Sequence, residues 1–386
     1  MRLGIFFLVV GYLLSQFYRA FLAVLAAPLA RDLGVGPDDL ALASGLWFLT
    51  FALMQVPVGW ALDTYGPRLT TALLLGLVAS SGAVIFAFAQ SAFHIHLSMI
   101  AIGAGCSPVL MAGFYIFART YSAAVFATLA GAMIGFGSLG NILGALPLAA
   151  ASEAIGWRAS VLVVAGLTAL VGLVQWFVVK DPPKAPQPEG GGGLMSLLRI
   201  PALWLILPLL TVNYAPAAGL RGVWAGPYMT DVFGASVAQV GQVTLLMAIA
   251  MIAGNFAYGP LDRVFGTRKW VVLTGNLLGT ACLLIAAFAP AIGIWTNALV
   301  LAGIGFFGAS FPMMIAHGRS FFPPHLLGRG VTLLNLFSIG GVGLLQMASG
   351  QVHVASRGDY GAVFLFFGLL LALGCVIYAF SRDRTD

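Results

Sequence analysis

Acidic side chains are scarce in this chain. Only 12 of its 386 residues are Asp or Glu, against 18 Lys and Arg, and charged residues of both signs make up 8% of the total. Every acid falls in a loop or near the end of an apolar segment, which argues against a proton relay built on a buried carboxylate. Cysteine is rarer still. Cys106, Cys282 and Cys375 stand singly in apolar segments with no CxxC or metal-type spacing, so neither a disulfide framework nor a zinc site is indicated. No GxxxxGK[ST] stretch is present, which removes direct drive by ATP. No cofactor, metal centre or catalytic constellation is expected, and the chain does not read as an enzyme.

What fills the space is apolar. Hydrophobic residues make up 60% of the chain and 49 residues are glycine, a composition that belongs to a polytopic membrane protein. Hydropathy places apolar segments near 4–28, 40–61, 69–89, 93–117, 123–150, 158–179, 202–229, 236–258, 269–289, 291–316, 328–352 and 360–380. Each is long enough for one span of about 20 residues, so twelve transmembrane helices joined by short loops are predicted. The first segment runs past signal-peptide length without a small-residue cleavage site, and helix 1 is expected to remain in the mature protein.

The net charge of +6 follows from topology and not from nucleic acid. With the N-terminus in the cytoplasm, Arg2, Arg68, Arg119, Lys180, Lys184, Arg199, Arg263, Arg268, Lys269, Arg319, Arg329, Arg382 and Arg384 lie on that side, and only Arg31, Arg158 and Arg357 lie on the other. This is the positive-inside pattern. Both termini are expected in the cytoplasm of an inner-membrane protein, with the bilayer and a small solute as partners and a monomeric state.

Between helices 6 and 7, "KDPPKAPQPEGGGG" holds no regular structure and divides the chain into residues 1–180, a linker at 181–200, and residues 201–386. The halves repeat. Asp32 and Asp231, like Asp63 and Asp262, are offset by 199 residues; Arg68 and Arg268, like Arg119 and Arg319, by 200. Internal repeats of this kind are characteristic of secondary transporters, with the substrate site at the repeat interface.

The loop after helix 2 reads "GWALDTYGPR" and the loop after helix 8 "GPLDRVFGTRK". The chain thereby resembles the major facilitator superfamily, whose signature repeats Gly, Asp, Gly and a basic residue after these two helices. The resemblance implies an all-α fold of two six-helix bundles. It also implies a cytoplasmic gate held by Asp63, Arg68, Asp262, Arg263 and Arg268. Thr64 stands where a basic residue is usual, so the first latch is expected to be the weaker. Gly131, Gly140 and Gly144 keep the helix 5 spacing of drug antiporters, but Ala145 replaces the proline of that motif and Pro147 comes three positions late.

Two arginines stand alone in apolar helices: Arg19 in "SQFYRAFLAVLAAP" and Arg221 in "AAGLRGVWAGP". A cation at that depth costs at least about 2.5–3.5 kcal/mol and marks a functional site. Guanidinium stays charged and can bind carboxylate or phosphate with two parallel donors. "SQFYRAFLAVLAAPLARDLGV" is similar to helix 1 of the organic anion symporter and organophosphate branch, and arginines in helices 1 and 7 match that arrangement. Tyr18 stands where proton-coupled members carry an acid.

Helical phase adds Tyr12 and Gln16 beside Arg19, and Tyr214 beside Arg221. It also aligns Ser107, Met111 and Tyr115 on helix 4, and Asn335, Ser338 and Gln346 on helix 11, with Asn141, Asn255 and Asn276 as further polar candidates. His94, His96, His317, His325 and His353 fall near predicted helix ends, where solvated roles are expected. The reading is an alternating-access transporter for a small organic anion. A multidrug exporter remains as an alternative. So does a copper importer using Met247, Met251, Met313 and His317, and so does a sensor that has lost turnover.

Overall fold

The computed structural model describes residues 2–121, 123–183, 197–322 and 327–384, so most of the linker and His325 lie outside the described residues. Regular structure among them is helical throughout. Ten helices are long and apolar enough to cross a bilayer, and two bent pairs bring the spans to twelve.

In the first half, α1 comprises Arg2–Tyr18 and Leu22–Leu33, and α2 comprises Pro37–Leu53 and Gln55–Thr64. Then come α3 at Pro67–Ala87 and α4 at Ala92–Thr120. The pieces Ala123–Gly137, Leu139–Leu143 and Leu146–Ile155 make up α5, and α6 is Trp157–Val178. The second half follows with α7 at Leu203–Phe233, α8 at Val237–Phe265, α9 at Lys269–Phe288, α10 at Ile294–Arg319, α11 at Leu327–Ala355 and α12 at Tyr360–Ala379.

The helices are irregular where the arginines sit. Arg19 occupies the break between the two pieces of α1, which meet at 50°. There the amides of Arg19 and Ala20 donate to the carbonyls three residues back, Gln16 at 3.3 Å and Phe17 at 2.9 Å, the tight pattern of a 3₁₀ turn. Pro208 and Pro216 each remove a rung from α7, and residues Leu220–Trp224, which include Arg221, form a π turn. Such turns occur often at functional sites.

The halves meet at the end remote from the termini. The Leu22–Leu33 piece of α1 packs on Ala225–Phe233 of α7 and on α8, while α5 packs on α8 and the Pro37–Leu53 piece of α2 on α11. Glycines allow the close approach: a Cβ on Gly226 would run into the Ala23 carbonyl, and one on Gly45 would run into Met347 and the Gly343 carbonyl. Within the first half, Gly140 and Gly144 lie against the α1 backbone at Leu13 and Phe17, so the small residues of α5 act in helix packing. Gly131 has nothing within 4 Å of its would-be Cβ.

Candidate substrate site and gates

Arg19 and Arg221 are 8% and 1% exposed, and they are the only Lys, Arg, Asp or Glu side chains buried among the described residues. The guanidinium of Arg19 lies 5.0 Å from the Trp47 ring centroid, 4.7 Å from Phe51 and 5.9 Å from Phe48. Its Nε has no hydrogen-bond partner, and neither do Nε and Nη1 of Arg221. The two cations lie within Coulombic reach of each other, and Tyr12 and Tyr214 share their field. Burying a charge without a partner costs several kcal/mol. Aromatic faces offset about 0.5–2 kcal/mol of that for Arg19, whereas the Arg221 guanidinium stacks on no ring among the described residues.

Other buried polar groups are also unsatisfied. The Gln16 side-chain amide donates to Tyr12 Oη at 2.7 Å, leaving its Oε1 unpartnered. Gln346 has neither Oε1 nor Nε2 bonded, and a Cβ on Gly219, two residues before Arg221, would collide with its carboxamide. Asn141 Oδ1 and Ser338 Oγ are buried and unpartnered as well. Buried polar groups are nearly always paired, so these atoms are exceptions. Tyr214, half-buried, packs on Phe311 at 5.5 Å. Asn335 is half-buried on α11.

Several expectations are corrected. Tyr115 lies with the signature-loop residues: the Arg119 guanidinium is 4.0 Å from its ring centroid and pairs with Asp63 at 3.2 Å. Ser107 Oγ is spent on the Ala104 carbonyl at 2.6 Å. Asn276 is bonded within the second half, accepting from Asn213 at 2.6 Å and sharing Ser310 Oγ with it. Asn255 is exposed and does not join Met247 and Met251 inside the bundle.

His317 and His353 are not solvated. The end of α12 and the tail beyond it close over His317, whose Nε2 donates to the Arg382 carbonyl at 3.0 Å, leaving Nδ1 to accept from Tyr378 Oη at 2.7 Å. With both nitrogens used, His317 has none for copper. Among the described residues no group of three His, Cys, Asp or Glu side chains is placed to hold a metal. His353 is enclosed by Trp224 at 5.1 Å and Tyr360 at 4.9 Å.

The two signature loops are wired differently from each other. Asp63 pairs with Arg119 and not with Arg68. The Arg68 amide donates to Asp181 Oδ1 at 2.8 Å. In the second half Asp262 does pair with Arg268, at 3.0 Å, while Arg263 is exposed. Asp383 takes the place of Asp181: it accepts from Thr267 Oγ1 at 2.5 Å and from the Lys269 and Arg268 amides at 3.0 and 3.2 Å. The two Asp–Arg pairs each lie within one half, while Asp181 is the first residue of the linker. Burial alone would raise the Asp383 carboxyl, but these donors outweigh it and hold it below the usual carboxylate range. Asp181 and Asp383 each follow a basic residue just past the last helix of a half, and this repeated Lys/Arg–Asp step is the signal that would have found them.

A cleft of about 540 Å³ at the remote end is lined by Arg31, Arg158, Asp32 and Glu153 among others. With both signs present it does not select for anions.

Two repeated helix bundles, joined at one end around a pair of buried, unpaired cations, define a polytopic solute carrier. The Major Facilitator Superfamily profile matches residues 8–222 and 217–386, so the chain belongs to that superfamily. It is similar to a putative tartrate transporter of Agrobacterium vitis, 25% identical across 98% of this chain and 93% of the relative. A probable sulfoacetate transporter of Cupriavidus necator is 22% identical across 96% of this chain and 91% of its own. Among solved structures, a bacterial homolog of the human lysosomal transporter Spinster, inward-facing and occupied, matches with a TM-score of 0.76. It is 19% identical and covers 98% of this chain and 96% of that one. The protein is thus a multi-pass membrane transporter and not an enzyme.

Proposed function

We propose that this transporter carries a small organic anion with two negative charges, bound between Arg19 and Arg221. The carrying observation is the pair of buried guanidiniums with unpartnered N–H groups and no buried carboxylate among the described residues. A dianion neutralises both cations, and its hydroxyls would find acceptors at Gln16, Asn141 and Gln346. The names of the tartrate and sulfoacetate relatives support this class. Residues 1–180 and 201–386 serve as the two rocking bundles, with the termini cytoplasmic as the basic residues favour. On that orientation the remote end is extracytoplasmic and this conformation faces inward.

A thermal-shift series on purified protein tests the reading, because a ligand that binds only the folded state raises apparent stability. Tartrate and sulfoacetate are expected to raise the Tm of the wild type and not of Arg19→Gln or Arg221→Gln. Stabilisation by lipophilic cations alone would replace this reading with a drug exporter.

A further inference from the structure

A tryptophan that the sequence did not single out stands against Arg19. Trp47 is 1% exposed, and its indole Nε1 has no hydrogen-bond partner. The indole N–H only donates, and a buried tryptophan ordinarily finds an acceptor for it. This ring is not free to look for one. It stacks on Phe51 at 5.1 Å and 17° and carries the Arg19 guanidinium 5.0 Å from its centroid. Its backbone is wedged against α4, where a Cβ on Gly103 would meet the Trp47 carbonyl.

We propose that Trp47 is a substrate-contacting residue, its indole N–H and the Nε–H of Arg19 holding one anionic group of the solute together. The two unsatisfied donors belong to side chains in contact, the Arg19 guanidinium carbon lying 5.0 Å from the indole centroid, and no acid is buried among the described residues to serve them. A carboxylate or sulfonate brings more than one acceptor oxygen, enough to satisfy both. The location suits a moving carrier as well. Gly45 and Leu49, two residues either side of Trp47, pack on Met347 and Gly343 of α11 in the opposite half, so sliding of the halves acts directly on the segment that presents the indole. The inference rests on the anion reading above and adds to it a specific donor.

Trp47→Phe tests it, since phenylalanine keeps a ring face for Arg19 and loses the donor together with the second ring of the indole. With purified full-length protein and tartrate and sulfoacetate as probes, affinity is expected to fall about tenfold to a hundredfold, whatever the smaller ring costs the unliganded Tm. In the Arg19→Gln background the same change is expected to add little. Wild-type affinity in Trp47→Phe, with Arg19→Gln unable to bind, overturns this inference alone; a lowered unliganded Tm with normal affinity does the same, because it marks a packing role. Failure of both probes to bind the wild type removes the anion reading and this inference with it. If Trp47→Phe does not fold, wild-type protein labelled with ¹⁵N at its eight indoles provides the second readout. One indole proton is expected to move downfield on adding the probe, and movement of none overturns the proposal.

Discussion

At Arg221 stability and binding pull in opposite directions. Its guanidinium is fully enclosed, with two nitrogens unpartnered, so Arg221→Gln relieves a buried charge. This variant is expected to raise the unliganded Tm by roughly 2–4 °C while abolishing the shift given by tartrate. Arg19→Gln should gain less, because it also loses the aromatic faces. Arg19→Lys keeps the charge but not the planar fork, and probe affinity is expected to drop about tenfold or more. Unchanged binding in both Gln variants would sink the anion site. The arginines were legible in the sequence because a charge in an apolar run needs no tertiary information. Tyr115 shows where that legibility stops. Helical phase aligned it with Ser107, but eight residues further along the helix is about 12 Å of depth, and that carries it to Arg119 and Asp63. Trp47 was invisible for a related reason, since an aromatic in a membrane helix is ordinary until its N–H is seen to lack a partner.

The twelve spans could be read from hydropathy, and their predicted boundaries agree with the helices to within several residues. The breaks could not. Nothing between Tyr18 and Leu22 is a proline or a glycine, and the bend there shows only where the Arg19 carbonyl meets α7: a Cβ on Gly222 would lie 2.7 Å from that oxygen. The crossing of α1 and α7 is tightest one turn further on, at Gly226 against Ala23. Gly226→Val is expected to prop the remote end open while leaving membrane insertion intact. Cysteines introduced on the remote side of α1 should then become accessible to impermeant maleimide from that face. Accessibility equal to wild type would show that this crossing does not hold the closure.

In the whole molecule, the two signature loops are wired unequally. The side chains of Asp63 and Arg119 are 56% and 24% exposed, those of Asp262 and Arg268 only 17% and 12%. Exposed pairs contribute about 1 kcal/mol or less, so Asp262→Asn is expected to redistribute inward- and outward-facing populations more than Asp63→Asn, read by accessibility from both faces. Equal effects would contradict the ranking. Asp383 adds a pH dependence. Because its folded carboxyl is held below the normal value, its contribution is complete above the unfolded pKa of about 3.9 and is lost as pH falls through the lower folded value. Hydrogen exchange at the Arg268 and Lys269 amides should therefore be protected at neutral pH in the wild type and faster in Asp383→Asn. The duplicated loops were plain in the sequence, and a repeated Lys/Arg–Asp step marks Asp181 and Asp383, but their docking onto the loops was not legible, since the last helix of each half returns to its loop only in three dimensions.

That no acid is buried among the described residues also bears on membrane voltage. On the dianion reading proposed above, the loaded central site is neutral, and the loaded carrier takes almost no net charge through the field when it turns over. The empty site retains two positive charges, and a full crossing at 100 mV would involve up to about 4.6 kcal/mol. The potential should therefore act mainly on the return of the unloaded carrier: net flux of solute would respond to voltage, and one-for-one exchange of labelled for unlabelled solute would hardly notice it.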